Sequence, residues 1–335
     1  MNNKILKDRW EEVDKLLSEF YSKNKKINAR AYNKIQAVLD GIDFSYEEMD
    51  NYASMKNISR LRVKVDEAKD KYGLNGYLGY QLSNYSRRKK LKNKDLLLAL
   101  IMLEYYNLYQ EQKKEEMILF DEVVNMTYIS VSTETINVLK PKDQKKKIRL
   151  LTVPEAFLLQ LIGMSGFNGF KWYDYREGVV GYNTRKFYEL LLILMQQGKK
   201  LDVDDKEFKK LLGKQEKAYL NQTDETPIGD YKDVFSGAID NQISTLVNRI
   251  TLQAIKDQGC TKVQFVAVMD AKTTKMCRSL DGQLFDIYEE NTYKRYSDED
   301  NKIITYTTKG LETGANLPPI NNHFHYCRST IYPYK

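Results

Sequence analysis

Both histidines of this 335-residue chain, His323 and His325, and two of its three cysteines, Cys277 and Cys327, fall in one stretch that runs from Asp270 to Arg328. Two thiolates and two imidazoles are the complement that a tetrahedral Zn²⁺ prefers. His323, His325 and Cys327 stand at alternate positions, and an extended strand would spread them over ~13 Å, too far for one ion unless the chain curls. Pro318, Pro319 and the paired asparagines after them supply the residues for such a curl; alternatively only two of the three ligate. The competing reading makes Cys277 and Cys327 small buried apolar residues. A thiolate nucleophile is a second chemistry, and either cysteine would need His323 or His325 as its base, with no protease-like signature around it. Asp270, Asp281 and Arg328 form a third set. They are read either as the acids and cation of a metal-dependent nuclease or hydrolase, or as structure. In the structural reading Asp270 caps a short helix, Asp281 fixes the Asp-Gly turn and Arg328 pairs with one of them.

Phosphate is the other ligand that the residue types suggest. Arg87, Arg88, Lys89, Lys90, Lys92 and Lys94 crowd into a segment with no acid, and Lys145, Lys146 and Lys147 form a second group with Lys142 and Arg149. The chain carries a net charge of +7. Such clusters either hold a nucleic-acid backbone by charge alone, with salt-sensitive and sequence-independent affinity, or are solvated loops between helices.

Elements must position these groups. Trp10, Val13, Leu17 and Phe20 recur at helical spacing, a polar stretch covers Ser22–Lys26, and Tyr32, Ile35, Val38 and Leu39 resume the pattern up to Gly41, which predicts a helical hairpin. Ser45 with Glu48 predicts a capping box and a helix start. An apolar run through Leu61, Val63, Val65 and Ala68 continues to the glycines at 73 and 76, which break the pattern. A long helix is predicted from Asp95 through Met126, apolar at first and then charged over Gln110–Glu116, with that charged part projecting. A further helix is expected from Pro154. Gly166 to Gly181, rich in Gly and aromatics, predicts an irregular loop, either a structural plug or a docking surface. Helices are then expected from Asn183 to Gly198, over Asp204–Leu212 and over Tyr231–Asp257. Val263–Val268 reads as a buried strand, Asp281-Gly282 as a turn before Leu284-Phe285, and Lys302–Thr308 as another strand. The fold class is therefore α+β: a mostly α-helical body with a small C-terminal α+β domain. The divisions along the chain are 1–140, an N-terminal helical domain; 141–258, a middle helical region; and 259–335, the α+β domain.

No apolar run approaches the ~20 residues of a membrane-spanning helix. The first residues lack a secretory h-region, so cytoplasmic synthesis and reduced thiols are expected.

The order Asp270, Thr273, Cys277, Leu280-Asp281-Gly282, Phe285, Pro318-Pro319 and Cys327-Arg328 resembles the C-terminal domain of the phage Mu F / SPP1 minor head protein family. Thr245 to Arg249 makes a weaker match to the helix that leads into that domain. Two departures stand out: Thr274 replaces a second cysteine common in the family, and Phe324, between the two histidines, replaces a common histidine. The resemblance implies a non-catalytic minor head (head morphogenesis) protein, made in the host cytoplasm and then carried inside the capsid of the virion. Its implied partners are the portal protein, double-stranded DNA bound nonspecifically, and scaffold or major capsid protein. Some relatives join this domain to a toxin; here the motif runs close to Lys335 and no such fusion is expected.

Overall fold

The computed structural model describes residues 2–139, 172–199, 236–269, 273–311 and 328–335. The body is helical and a small set of antiparallel strands follows it, as the sequence predicts. The order is α1 (Asn2–Asp40), α2 (Met55–Tyr72), α3 (Gly76–Arg87), α4 (Asn93–Leu139), α5 (Trp172–Gln196), α6 (Ser236–Asp257), β1 (Lys262–Val266), α7 (Lys275–Leu280), β2 (Leu284–Asp286), β3 (Glu290–Ser297), β4 (Lys302–Lys309) and β5 (Thr330–Tyr334). No helix among the described residues is long and apolar enough to cross a membrane.

The chain forms two compact units, neither continuous in sequence. One comprises Met1–Glu19, Met117–Ser165 and Ser236–Lys335; the other comprises Phe20–Glu116 and Gly166–Phe235. The long helices α1 and α4 each contribute one part to each unit.

The predicted hairpin is instead the single helix α1. Ser22–Lys26 contains neither glycine nor proline, so nothing in it breaks a helix. The buried stripe carries through it at intervals of three and four: Phe20, Asn24, Ile27, Ala31 and Ile35. Asn24 occupies a core position because its amide donates to Phe20 O at 3.1 Å, one turn back. The predicted capping box forms only in part. Ser45 N donates to Glu48 Oε2 at 2.8 Å, yet the chain closes tight turns there, with Glu48 N bonded to Ser45 O. Residues 49–53 give their backbone hydrogen bonds to residues 91–94 in place of a helix, and α2 starts later, where the Ser54 hydroxyl accepts from Asn57 N.

In the unit from Phe20 to Glu116 with Gly166 to Phe235, apolar faces of α1, α2, α3, α4 and α5 close one core, which includes Ile35, Leu61, Leu78, Leu97, Tyr106 and Phe187. Each such fully buried aliphatic or aromatic side chain contributes about 1.5–3 kcal/mol relative to exposure. Two expectations change here. The charged part of α4 does not project, because Glu116 is fully buried and Arg176 Nη2 donates to it at 2.7 Å, while Gln112 accepts from the same guanidinium. The Gly/aromatic stretch from Trp172 to Gly181 is not a loop but the first turns of α5, which bring Arg176 to that carboxylate.

The other unit packs Trp10, Val13 and Leu17 of α1, Phe120, Val123 and Val131 of α4, and Ile243, Leu246 and Ile250 of α6 into its interior, together with the C-terminal strands. Arg9 Nη2 reaches both oxygens of Glu134, at 2.6 and 2.7 Å, with both side chains almost fully buried. Strand β1 is central in the order β2-β1-β5 and antiparallel to both neighbours, with Val263 opposite Phe285 and Phe265 opposite Ile331. β3 and β4 form a separate antiparallel pair, Tyr293 opposite Tyr306.

The helix predicted from Pro154, that over Asp204–Leu212, and the part of the loop from Gly166 to Lys171 lie outside the described residues.

Candidate functional site

Each described residue of the C-terminal motif has a definite local task. Thr274 N-caps α7, its hydroxyl accepting from the Cys277 amide at 3.2 Å, so the residue that stands where the family often has a cysteine starts the helix. Thr273 Oγ1 donates to Val268 O, and Arg278 Nε donates to Thr273 O at 3.1 Å. Cys277 and Leu280 are buried on the same short helix. Asp281 fixes the turn as predicted, its Oδ1 accepting from Ala267 N at 2.8 Å, just beyond β1. Gly282 follows with a φ of 79°, a left-handed conformation that glycine adopts without a Cβ penalty, and its amide donates to Phe265 O at 2.9 Å. Phe285 is buried edge-on to Tyr293, their centroids 5.3 Å apart. Gln283 then ties the turn to the outer hairpin, its amide donating to Ser279 O and Lys294 O, both at 2.6 Å.

Arg328 extends this framework to α1. Its Nη2 donates to Asp14 Oδ2 at 2.8 Å, and its carbonyl accepts from Trp10 Nε1 at 2.8 Å. The sequence offered Asp270 or Asp281 as its acid; the long separation from Asp14 hid this partner. The third cysteine, Cys260, has a role that spacing did not signal: its thiol donates to Lys262 O at 3.0 Å and lies 3.4 Å from Tyr334 O, at the end where β1 and β5 pair. Arg249 of the upstream match is half-buried, and desolvation pulls its guanidinium pKa below the usual value. Asp270, Pro318, Pro319, His323, His325 and Cys327 lie outside the described residues. Among the described residues no three His, Cys, Asp or Glu side chains group so as to hold a metal ion.

The basic cluster is a strap clamped along residues 48–53. Ala53 N donates to Leu91 O at 2.9 Å, Asn93 N to Asn51 O at 2.9 Å and Lys94 N to Met49 O at 3.0 Å, with the Leu91 side chain buried as the anchor. Arg62 holds the start of the strap by donating to Ser86 O and Arg88 O, both at 3.0 Å, where it also complements the negative end of α3. The six cations are not equivalent. Lys92 and Lys94 converge on Asp50 at 3.0 and 2.7 Å, which lowers the Asp50 pKa, Lys94 having the larger effect. Arg88 lies 4.0 Å from Asp95 and 4.8 Å from the Tyr85 ring centroid; Lys90 Nζ lies 5.5 Å from that of Tyr52. Arg87 and Lys89 are exposed and have no partner among the described residues. Lys145, Lys146 and Lys147 lie outside the described residues.

An open pocket of about 290 Å³ between α2 and α4 mixes Lys34, Lys64 and Lys71 with Glu67 and Glu104, Lys64 bonding Glu104 at 3.1 Å. Cations and acids there offset one another, whereas in the strap Asp50 neutralises only part of the charge of Lys92 and Lys94 and leaves Arg87, Lys89 and Lys90 without an acid partner among the described residues. Comparison with protein-family models, with curated proteins and with solved structures finds no match to this chain.

Proposed function

We propose that the chain is a phage minor head protein, non-catalytic, which associates with the portal during head assembly and binds double-stranded DNA nonspecifically for packaging or ejection. Scaffold or major capsid protein is a further partner in this reading, and the protein passes from host cytoplasm to capsid interior. The observation that carries it is the use made of the motif: Thr273, Cys277, Leu280, Asp281, Gly282 and Phe285 are spent on burial or on backbone hydrogen bonds that join β1, α7 and β2. That is the pattern expected of a structural module, and it accords with the resemblance. The exposed strap supports the DNA contact by charge. Cys277, His323, His325 and Cys327 would hold a structural Zn²⁺, a role suited to their donor chemistry.

The test is co-production with the portal protein of the same genome, followed by purification of that complex and of heads. Recovery of the chain with both is the expected result. Its absence from heads and from portal complexes would defeat the proposal, as would divalent-dependent DNA cleavage that disappears in Asp270→Ala while the fold is retained. Elemental analysis of untagged protein checks the zinc, with about one ion per chain expected for a four-ligand site.

A further inference from the structure

The strap continues into an aromatic face on α3. Tyr77 and Tyr80 are 55% and 63% exposed, and Tyr52 beside the strap is 67% exposed, unusual for side chains of this size. At 3.6 residues per turn, Tyr77, Tyr80, Asn84 and Arg87 fall on one face of α3, opposite its buried Leu78 and Leu82. Tyr77 and Tyr80 have no hydrogen-bond or ring-stacking partner among the described residues. The track from Tyr77 to Arg87 is about 15 Å long at 1.5 Å per residue, and it leads into Arg88, Lys89 and Lys90. The helix is firmly seated. A Cβ on Gly79 would stand 2.4 Å from the Leu74 carbonyl, so only glycine permits this approach. At the N-terminus, Glu177 Oε1 accepts from Leu78 N at 2.8 Å, which fixes the first turn.

From these features we infer that the face formed by Tyr77, Tyr80 and Arg87, with the strap beside it, binds single-stranded DNA, its bases stacking on the tyrosines and its phosphates meeting Arg87, Lys89 and Lys90. A duplex keeps its base faces inside its own stack, so exposed rings add little to duplex affinity; an unpaired strand offers those faces to any aromatic platform. Charge complementarity selects a polyanion over an apolar partner, since the same helix face ends in Arg87 with Lys89 close behind, neither of which has a partner among the described residues. The inference rests on the DNA-contact reading above and refines which form of DNA this surface takes.

The test measures binding of the full chain at low salt by fluorescence anisotropy. Its probes are an oligo-dT strand, an abasic strand of the same length and a duplex of the same length. Tyr77→Ala/Tyr80→Ala should weaken oligo-dT binding about tenfold or more while changing the abasic strand and the duplex little. Tyr77→Phe/Tyr80→Phe retains the rings and should retain affinity, which separates stacking from a lost hydroxyl. Arg87→Gln/Lys89→Gln should weaken all three probes. If the Ala pair leaves oligo-dT binding unchanged while the charge variant lowers every probe, the single-strand inference is overturned and the DNA-contact reading stands. If neither variant alters any probe, both are overturned. Both tyrosines are exposed, so circular dichroism should report an intact fold in every variant.

Discussion

The inequality among the strap cations makes the salt dependence of duplex binding the sharpest prediction. Four of them, Arg87, Arg88, Lys89 and Lys90, are exposed and either unpaired among the described residues or held weakly by rings and a carboxylate at 4.0 Å. Lys92 and Lys94 share Asp50, so that trio carries a net charge of about +1. Each phosphate contact contributes about −0.9 to the slope of log K against log salt on duplex DNA. Substitution of the first four by Gln should therefore flatten the slope by up to about 3.6, whereas Asp50→Asn/Lys92→Gln/Lys94→Gln should flatten it by about 0.9. In wild type the two contributions together make a slope of about −4.5, a loss of about 500-fold in affinity between about 50 and about 200 mM salt. Anisotropy titrations of a fluorescent duplex across that range measure all three slopes. A flattening of about 1.8 in the Asp50 variant, the value for two full phosphate contacts, would refute the assignment of Asp50 as an internal counter-ion, and an unchanged slope in the fourfold variant would remove the strap from the DNA contact altogether.

Arg176→Met leaves Glu116 buried without its counter-charge, and urea unfolding should register a loss of about 3–5 kcal/mol, with much of it restored when Glu116→Leu is added. Asp281→Ala removes the acceptor for the Ala267 amide and should cost about 1–3 kcal/mol in the same assay, while Asp281→Asn, which keeps an acceptor, should recover most of the stability. Tyr128 donates to Asp257 Oδ2 at 2.8 Å, and desolvation together with that carboxylate pushes its pKa up to about 12. The folded state thus holds this proton more tightly than the unfolded chain, whose tyrosines titrate near 10. The stabilisation is complete below pH ~10 and declines as the pH rises towards 12. Tyr128→Phe should flatten the fall in melting temperature across that window; an unaltered fall would show that other groups cause it.

What the sequence disclosed depended on how local each determinant was. β1 was legible because Val263, Phe265 and Val266 are β-branched or aromatic in succession, and the Asp281-Gly282 turn was legible because glycine there takes a positive φ. β5 escaped notice because it holds Pro333, which ordinarily argues against a strand. It is tolerated because β5 lies at the sheet edge, where one side of the backbone needs no ladder partner. β3 escaped because its inward positions are Asn291, Tyr293 and Ser297, only one of them strongly apolar. α1 was split on a polar interval that Asn24 bridges from within the core, and α4 was given a projecting end because the counter-ion of Glu116 lies sixty residues away on another helix.

The same rule separates the two candidate sites. In the C-terminal motif, the short-range pair of Thr274 with Cys277 makes the local fold readable, while Asp281 reaches Ala267 across fourteen residues and Arg328 finds Asp14 only through the tertiary structure. At the strap, sequence showed the cations but not their neutralisation, since Asp50 is brought to Lys92 and Lys94 by backbone pairing between distant segments. Nor did it show that Tyr77 and Tyr80 face outward: their spacing from Arg87 is visible in the chain, but only the packing of Leu78 and Leu82 decides which face of α3 is left to solvent. Functional chemistry on this surface is consequently set by what the core leaves exposed, and a cluster of like charges read without its tertiary counter-ions overstates the field it can exert.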